Sequence, residues 1–265
     1  MPYISANSTE LFYTEFGDSQ NPTIVFTHSL LCDGEMFNDL IERLSSQFHI
    51  INIDQHGHGE SGYPEAFSLE DMVADYIKVL DQLGLNLVHW AGLSMGGMVG
   101  MRLALAYPHR IKSLILMNTS AQTPKEEHLE NQLALANAIR EGSAASVVDA
   151  ILPFFFCQTT YYHQPDLVDK YRRKFSSYRN TEGIYQAAMA VFYRSDISEK
   201  IREIKLPTLV IVGQEDVATP VEESEFIVSR IDGAVLKVLE NTGHMSATEK
   251  PEEVAAIIER FFNSN

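Results

Sequence analysis

Short apolar runs alternate with helical patterns through the first part of the chain and predict a regular α/β order. Four runs are continuous and rich in β-branched or aromatic residues, which is typical of strands buried on both faces of a sheet. They occupy residues 23–27, 49–54, 87–91 and 111–118. Between them, apolar residues recur every three or four positions, as on one face of a helix. This order predicts a parallel, doubly wound sheet, preceded by one further strand at residues 11–16.

Terminal signals define the ends of two predicted helices. Ser68 and Asp71 have the spacing of a capping box, so one helix should begin just after Ser68 and end at Gly84. The last helix, residues 251–262, begins with a proline in its first turn, where the missing N–H leaves no hydrogen bond unmade. Both helices carry apolar residues at helical spacing, which predicts that one face of each packs on the sheet.

The alternation of strands and helices breaks between residues 123 and 196, where helical patterns occur without a convincing strand. It resumes over residues 209–212, 220–230 and 235–239. We therefore expect one α/β core, residues 1–122 and 197–265, with residues 123–196 inserted as a helical cap after the strand that ends near Asn118. Such a cap would lie over the carboxyl edge of the sheet and shape an apolar pocket. An extra helical layer packed elsewhere is the alternative.

Composition and charge exclude several classes of partner. The chain has 265 residues, 45% of them hydrophobic, which is enough for a sizeable core in one large domain. A net charge of −16 repels phosphate backbones and anionic membranes, so we expect neither a nucleic-acid nor a membrane partner. The N-terminus lacks the basic start and apolar region of a signal peptide, and no run is long enough to cross a membrane. With Cys32 and Cys157 both read as reduced, a cytoplasmic location is expected.

The strongest chemical signature is a Gly-x-Ser-x-Gly pattern centred on Ser94. It joins the predicted strand 87–91 to an Ala-rich helical pattern. A strand that turns sharply into a helix leaves no room for side chains at the flanking positions, which explains Gly92 and Gly96. The helix N-terminus adds free N–H groups and a positive dipole end, so we predict Ser94 as a nucleophile. A chance match is the alternative, and the strand-to-helix context argues against it.

Two further candidates follow predicted strands. Asp216 lies in a Gly-x-x-Asp turn after one strand, and His244 lies in a Gly-His step after the last strand. Because the carboxyl ends of parallel strands meet at one edge of a sheet, both can converge with Ser94. The order Ser, Asp, His predicts His244 as the general base and Asp216 as the acid that orients it. Asp216 could instead be a turn residue, with the neighbouring Glu215 as the acid.

An acyl transfer also needs donors for the oxyanion. We expect these to be the backbone N–H groups of Met95, next to the nucleophile, and of Leu30, in the loop after the first parallel strand. His28 begins that loop and is interpreted as a structural hydrogen-bonding residue rather than a catalytic one.

Residues 55–62 carry two patterns that compete with this interpretation. The glycines at 57, 59 and 62 formally match a dinucleotide fingerprint, with Asp81 about 20 residues on. A proline at position 64 follows instead of a helix, so no cofactor is expected. His56 and His58 have no third ligand nearby and are interpreted as members of a hydrogen-bonded loop rather than a metal site.

Together, the elbow at Ser94, the loop at His28, the turn at Asp216 and the Gly-His step resemble the α/β-hydrolase superfamily over the whole chain. Four stretches look most like the 3-oxoadipate enol-lactone hydrolases and their esterase relatives, namely residues 28–30, 118–120, 149–153 and 216–220. The resemblance implies a cofactor-free serine hydrolase that opens a small ester or lactone through an acyl-enzyme. The chain departs from the superfamily at Ser29, where many members have Gly, and at Gln55, where many have Arg.

Two other activities remain open within the same fold: cleavage of a carbon–carbon bond, and slow-turnover ligand reception on a hydrolase scaffold. Related dehalogenases and epoxide hydrolases carry Asp as the nucleophile, and the serine argues against both. A carboxylate on the substrate would need a cation. Arg172, Arg173, Arg179 and Arg194 are the candidates in or beside the cap, although arginines in an acidic protein most often form surface ion pairs.

Overall fold

The computed structural model describes residues 3–7, 9–142, 144–178 and 180–264. Its strands form an eight-stranded sheet in the order β1-β2-β4-β3-β5-β6-β7-β8. The strands are β1 (Tyr3–Ser5), β2 (Glu10–Phe16), β3 (Thr23–Thr27), β4 (His49–Ile53), β5 (Val88–Leu93), β6 (Ile111–Met117), β7 (Thr208–Gly213) and β8 (Val235–Leu239). β1 and β2 are antiparallel to their neighbours, and the other pairs are parallel. The chain order reverses between β3 and β5, where ligands of such sheets bind at the carboxyl ends.

The helices follow the strands in the predicted alternation. They are α1 (Asn38–Leu44), α2 (Leu69–Gln82), α3 (Met95–Ala106), α4 (Glu126–Arg140), α5 (Ala144–Ile151), α6 (Gln158–His163), α7 (Pro165–Ser176), α8 (Thr181–Phe192), α9 (Val221–Arg230), α10 (Ser246–Glu249) and α11 (Pro251–Asn263). Short 3-10 helices occupy Gly34–Phe37, Pro108–Arg110, Leu152–Phe154 and Lys200–Glu203. No described helix combines the length and the apolar character needed to cross a bilayer.

The sheet is covered on both faces, as the continuous apolar strands predicted. All five residues of β3 are buried. Ile24 and Phe26 belong to one apolar cluster with residues of α1 and α11, whereas Val25 belongs to a second cluster with residues of α2 and α3. This two-residue period is that of a strand whose successive side chains face opposite sides. The core therefore has two layers, one on each face of the sheet.

The predicted ends of α2 are confirmed. The Ser68 hydroxyl accepts the backbone N–H of Asp71 at 3.1 Å, and the Asp71 carboxylate accepts the backbone N–H of Ser68 at 2.8 Å. Gly84, just beyond the helix, has a φ of +69°, in the left-handed region. The sequence pattern did not predict β1, which has only three residues and buries only its central side chain.

Helices α4 to α8 all lie between β6 and β7, and the described residues of 123–196 contain no strand. The two chain segments that enter and leave this insertion run side by side. The backbone N–H of Ile197 donates to the carbonyl of Ala121 at 3.3 Å. Arg194 donates to the carbonyls of Val191, at 2.7 Å, and of Gln122. The buried guanidinium thus joins both ends of the insertion.

Candidate active site

Ser94 occupies a sharp turn between β5 and α3. Its backbone has a φ of 53° and a ψ of −110°, a conformation that L-residues disfavour and that stores strain. A Cβ on Gly96 would lie closer than 3.0 Å to the Thr27 carbonyl, and one on Gly92 would meet the backbone of Gly96 equally closely. Both flanking positions therefore exclude any side chain. The geometry is the strand-to-helix elbow that the sequence predicted.

Asp216 and His244 form a buried hydrogen-bonded pair at the carboxyl ends of β7 and β8. His244 Nδ1 lies 2.9 Å from Asp216 Oδ2 and 3.1 Å from Oδ1. The carboxylate also accepts the Thr219 hydroxyl at 2.8 Å, and the backbone N–H groups of Ala218 and Thr219 at 2.9 and 3.0 Å. Because Nδ1 faces Asp216, Nε2 is the ring nitrogen of His244 that points away from the carboxylate.

Hydrogen bonds keep Asp216 ionised despite its burial. Burial alone would raise the pKa of this carboxyl, but the neighbouring His244, the Thr219 N–H and the Asn118 amide outweigh it. The pKa of Asp216 is therefore held below its usual range. An ionised Asp216 accepts the Nδ1 proton of His244 and so favours the tautomer whose Nε2 can take up a proton.

Asn118, directly after β6, connects the elbow with this pair. Its side-chain nitrogen donates to Asp216 Oδ2 at 2.9 Å and to the carbonyl of Gly243 at 3.1 Å. On the other side, the backbone N–H of Ser94 donates to Met117 at 2.9 Å, and the Thr119 hydroxyl donates to the Ser94 carbonyl at 2.7 Å. The end of β6 thus holds the serine turn, the acid and the histidine loop in one hydrogen-bonded frame.

The two predicted oxyanion donors lie in the elbow and in the loop after β3. Met95 is buried at the first position of α3, and Leu30 is half-buried in the loop after β3. Within the described part of the chain, neither backbone N–H donates a hydrogen bond. The carbonyl of His28, close to Leu30, accepts the N–H of Gly96 at 3.2 Å, which joins the loop to the start of α3. Both amides therefore lack an acceptor within the described part of the chain.

Two buried histidines support the loop that carries Leu30. His28 Nε2 accepts the backbone N–H of Gln55 at 2.7 Å, and His58 Nε2 accepts that of Leu31 at 3.0 Å. Each Nδ1 lies on a backbone carbonyl, at 2.8 Å for His28 and 2.9 Å for His58. Burial lowers the pKa of His58 to about 4 and that of His28 well below its usual value. Both rings are neutral at pH 7, which suits one donor and one acceptor nitrogen. The structure thus gives His28 and His58 the hydrogen-bonding roles that the sequence predicted.

The insertion packs on the loops that surround Ser94. Lys174 of α7 contacts Asp33 at 2.5 Å and Glu35 at 3.0 Å, both in the loop after β3. The ring of Phe155 lies 5.9 Å from that of His244, at an interplanar angle of 84°. Phe155 also belongs to the apolar cluster that contains Leu31 and Met245 of the core, together with Ile139, Val148, Ile151, Leu152 and Phe175 of the insertion. An apolar surface of the insertion therefore faces this edge of the sheet.

A backbone contact explains one glycine of the pattern that resembles a nucleotide fingerprint. Gly57 has a φ of +76°, and a Cβ there would lie closer than 3.0 Å to the backbone of Gly183, near the start of α8. The side chain of Asn180 also donates to the Gly57 carbonyl at 3.4 Å. Gly57 is thus a point where the core and the insertion touch backbone to backbone.

The comparison with known proteins agrees with this architecture. Residues 22–251 match the family described as the alpha/beta hydrolase fold. The chain belongs to the α/β-hydrolase family. 3-Oxoadipate enol-lactonase 2 of Acinetobacter baylyi is 27% identical to this hydrolase over 263 residues, covering 97% of this chain and 96% of the relative.

Two solved structures match the hydrolase over almost its whole length. A thermophilic esterase from Thermogutta terrifontis has a TM-score of 0.92 at 29% identity, with 99% of this chain and 97% of that chain covered. The enol-lactonase from Burkholderia xenovorans LB400 has a TM-score of 0.92 at 28% identity, with 99% and 100% covered. The fold of this α/β hydrolase is therefore that of proteins named as esterases and lactonases.

The arginines considered as candidate partners of a substrate carboxylate have diverse positions in the hydrolase. Arg172 forms ion pairs with Asp149 and with Asp169. Arg173 is exposed on α7, and Arg194 donates to backbone carbonyls at the ends of the insertion. Arg179 lies outside the described residues.

No metal site is found in the described ranges of the hydrolase, where no three His, Cys, Asp or Glu side chains are grouped to hold an ion. His56, the other histidine considered for a metal, instead bonds Asp75 at 2.7 Å. Sequence reasoning missed Asn118 as part of the site. The available signal was its position at the carboxyl end of a predicted central strand, where polar residues of such sheets meet ligands.

Proposed function

We propose that this protein hydrolyses small carboxylic esters or lactones through an acyl-enzyme on Ser94. His244 acts as the general base and Asp216 orients it. The observation that carries the proposal is the buried pair of Asp216 and His244, 2.9 Å apart, which Asn118 links to the strand end that holds Ser94. A strained serine at a helix N-terminus, joined to such a pair through the end of β6, suits nucleophilic attack on a carbonyl.

The relatives define the class of reaction. Esterases and enol-lactonases both cleave carboxylic esters, the lactone being a cyclic ester, and this chain is a carboxylic ester hydrolase. The serine mechanism within that class is our proposal.

In the first half of the reaction, the Ser94 hydroxyl attacks the substrate carbonyl while His244 Nε2 takes up its proton. Asp216 holds Nδ1 and stabilises the imidazolium that results. The proton then passes to the leaving oxygen, and the acyl group stays on Ser94. In the second half, His244 takes a proton from water as the water oxygen attacks the acyl group. It then returns this proton to the Ser94 oxygen as the bond to the acyl group breaks and the acid is released.

The negative oxygen of the tetrahedral intermediate is placed on the backbone N–H groups of Leu30 and Met95. Support comes from their lack of hydrogen bonds within the described chain and from the neutral histidines that hold the Leu30 loop. Such donors act on charge that develops in the transition state, which makes them strong contributors to rate.

We further propose that residues 123–196 act as a cap on a core formed by 1–122 and 197–265. The contacts of Lys174 with the loop after β3, and of Phe155 with His244, support this arrangement over a helical layer elsewhere. The insertion packs on the core loops through buried apolar side chains, and its cations Lys174 and Arg172 are both paired with carboxylates. These features favour uncharged acyl groups.

The test is multiple turnover of short p-nitrophenyl esters and simple lactones by the wild type and by Ser94→Ala. Loss of the nucleophile should lower kcat by several orders of magnitude, on the order of a millionfold where it has been measured in other serine hydrolases. A variant that kept more than about a few per cent of the activity would contradict Ser94 as the nucleophile. If the wild type released one equivalent of p-nitrophenol and then stopped, the protein would instead be a slow-turnover receptor.

A further inference from the structure

Glu249 is a buried carboxylate that the proposed reaction does not use. It ends α10, five residues after His244, and only 4% of the residue is exposed. Its Oε1 atom accepts the backbone N–H of Gly243 at 2.9 Å and that of Met245 at 3.2 Å. These two residues directly precede and follow His244. One oxygen atom therefore holds the backbone on both sides of the proposed base.

The second oxygen of the same carboxylate faces the insertion. Glu249 Oε2 accepts the Thr160 hydroxyl of α6 and the backbone N–H of Cys157 at 3.4 Å. The backbone carbonyl of Glu249 also accepts the side-chain nitrogen of Gln164 at 3.2 Å. The carboxylate is thus shared between the histidine loop and the start of α6.

Burying a carboxylate is unfavourable unless hydrogen bonds compensate for its lost hydration. Burial raises the pKa of Glu249, and the donors around it act in the opposite direction. An apolar side chain of similar size would avoid the desolvation, but it would leave the Gly243 amide without its acceptor and the Met245 amide with only the Phe155 carbonyl, at 3.2 Å. The contacts therefore indicate that the role of Glu249 is to accept hydrogen bonds rather than to fill space.

We propose that Glu249 is a positioning residue for the general base, which fixes the backbone around His244 and ties it to the insertion. The proposal rests on the proposed function, because it requires His244 to activate Ser94. A small displacement of a catalytic group can lower a rate by up to about a hundredfold, so loss of this acceptor should slow the attack by Ser94 without changing substrate binding.

The experiment measures the rate at which diisopropyl fluorophosphate modifies Ser94. This small reagent requires an activated serine, and the fluoride leaves as the Ser94 oxygen bonds to phosphorus. Glu249→Leu should label at least about tenfold more slowly than the wild type, with a similar fall in kcat on p-nitrophenyl acetate and KM within about twofold. Glu249→Gln keeps an oxygen for both amides and should label within about threefold of the wild type.

Thr160→Val is the matched control. It removes the hydroxyl on the insertion side but leaves both amides of the histidine loop paired with Glu249, so it should label at the wild-type rate. If Thr160→Val and Glu249→Leu lost the same fraction of the labelling rate, the effect would belong to the insertion and the proposal would be overturned. Labelling of a folded Glu249→Leu variant at the wild-type rate would also overturn it.

Should circular dichroism show that Glu249→Leu does not fold, Glu249→Asp decides the question. The side chain is one methylene shorter, so with the backbone unmoved its oxygens no longer reach the Gly243 and Met245 N–H groups, and we expect labelling to slow by about fivefold. Labelling at the wild-type rate would overturn the proposal. Failure of the proposed function looks different, since the wild type would then not be labelled, or Ser94→Ala would be labelled equally.

Discussion

At the scale of single residues, Asn118 and Asp216 show how the candidate site depends on contacts between distant positions. The two side chains are 98 residues apart in the sequence and 2.9 Å apart in the fold. The sequence predicted Asp216 from the turn that follows a strand, which is a local signal. It could not predict Asn118 as its partner, because that contact depends on β6 and β7 being neighbours in the sheet.

Replacing Asp216 by Asn should lower kcat for ester hydrolysis by about a thousand- to ten-thousandfold, with a much smaller change in KM. The amide can donate to His244 Nδ1, which favours the tautomer that cannot accept the Ser94 proton at Nε2. Steady-state kinetics on p-nitrophenyl esters measure the effect. Glu215→Gln is the control, since Glu215 is exposed and adjacent, and it should stay within about twofold of the wild type. The reverse ranking would assign the acid to Glu215.

A second buried acid gives a prediction for stability against pH. Asp54 accepts the N–H groups of Gly34 and Glu60 at 2.8 and 3.0 Å, yet burial raises its pKa to about 6. Because this value lies above that of an unfolded Asp, near 3.9, the folded state binds the proton more tightly. The associated stabilisation is complete below about pH 4 and is lost as the pH rises through about 6.

We therefore expect the wild type to lose about 2 kcal/mol more unfolding free energy than Asp54→Asn between about pH 4 and pH 7.5. Urea denaturation at several pH values measures both curves. Asp39→Asn, at an exposed acid on α1, is the control and should follow the wild-type curve. Parallel curves for the wild type and Asp54→Asn would contradict the prediction.

At the scale of elements, the junction of β5 and α3 shows what periodicity and local turn chemistry can predict. The apolar run, the glycines and the Ala-rich pattern lie together in the sequence, and they gave the strand, the turn and the helix in the right places. The strand β1 was missed because three residues are too few to show a period. Its antiparallel pairing with β2 holds these residues in a strand, which their own sequence is too short to specify.

Gly96→Ala should destabilise the protein by about 1–3 kcal/mol and abolish most of the activity, because the new Cβ would collide with the Thr27 backbone beside Ser94. Gly84→Ala is the control for the substitution itself. Gly84 has a φ of +69° but open space around it, so only the backbone cost of about 1 kcal/mol is expected, with normal kcat. Equal kcat values for the two variants would contradict a tightly packed elbow.

At the scale of the whole molecule, charge and the insertion together bear on substrate choice. The net charge of −16 repels anionic substrates at a distance, and the cations Lys174 and Arg172 of the insertion are already paired with carboxylates. The prediction of no nucleic-acid partner rests on the same charge. The proposed position of the insertion over the carboxyl edge depends on contacts such as that of Gly57 with Gly183, between segments far apart in the chain.

Salt should therefore affect charged and neutral substrates differently. Raising the ionic strength from about 10 mM to about 300 mM shortens the Debye length several-fold and should raise kcat/KM for p-nitrophenyl hemisuccinate by about two- to fivefold. The neutral p-nitrophenyl butyrate is the control and should change little. An equal response of both esters would show that the charge of the molecule does not reach the site.

The sequence by itself determined the order of strands and helices, the elbow around Ser94, and Asp216 and His244 as candidates at strand ends. Those features depend on residues close together in the chain, whose periodicity and turn chemistry act locally. Only the tertiary structure decided that Asn118 holds Asp216, that His58 supports the Leu30 loop, and that Glu249 joins the His244 loop to the insertion. Their partners are chosen by the sheet order and by the packing of the insertion, which bring distant segments within hydrogen-bonding distance.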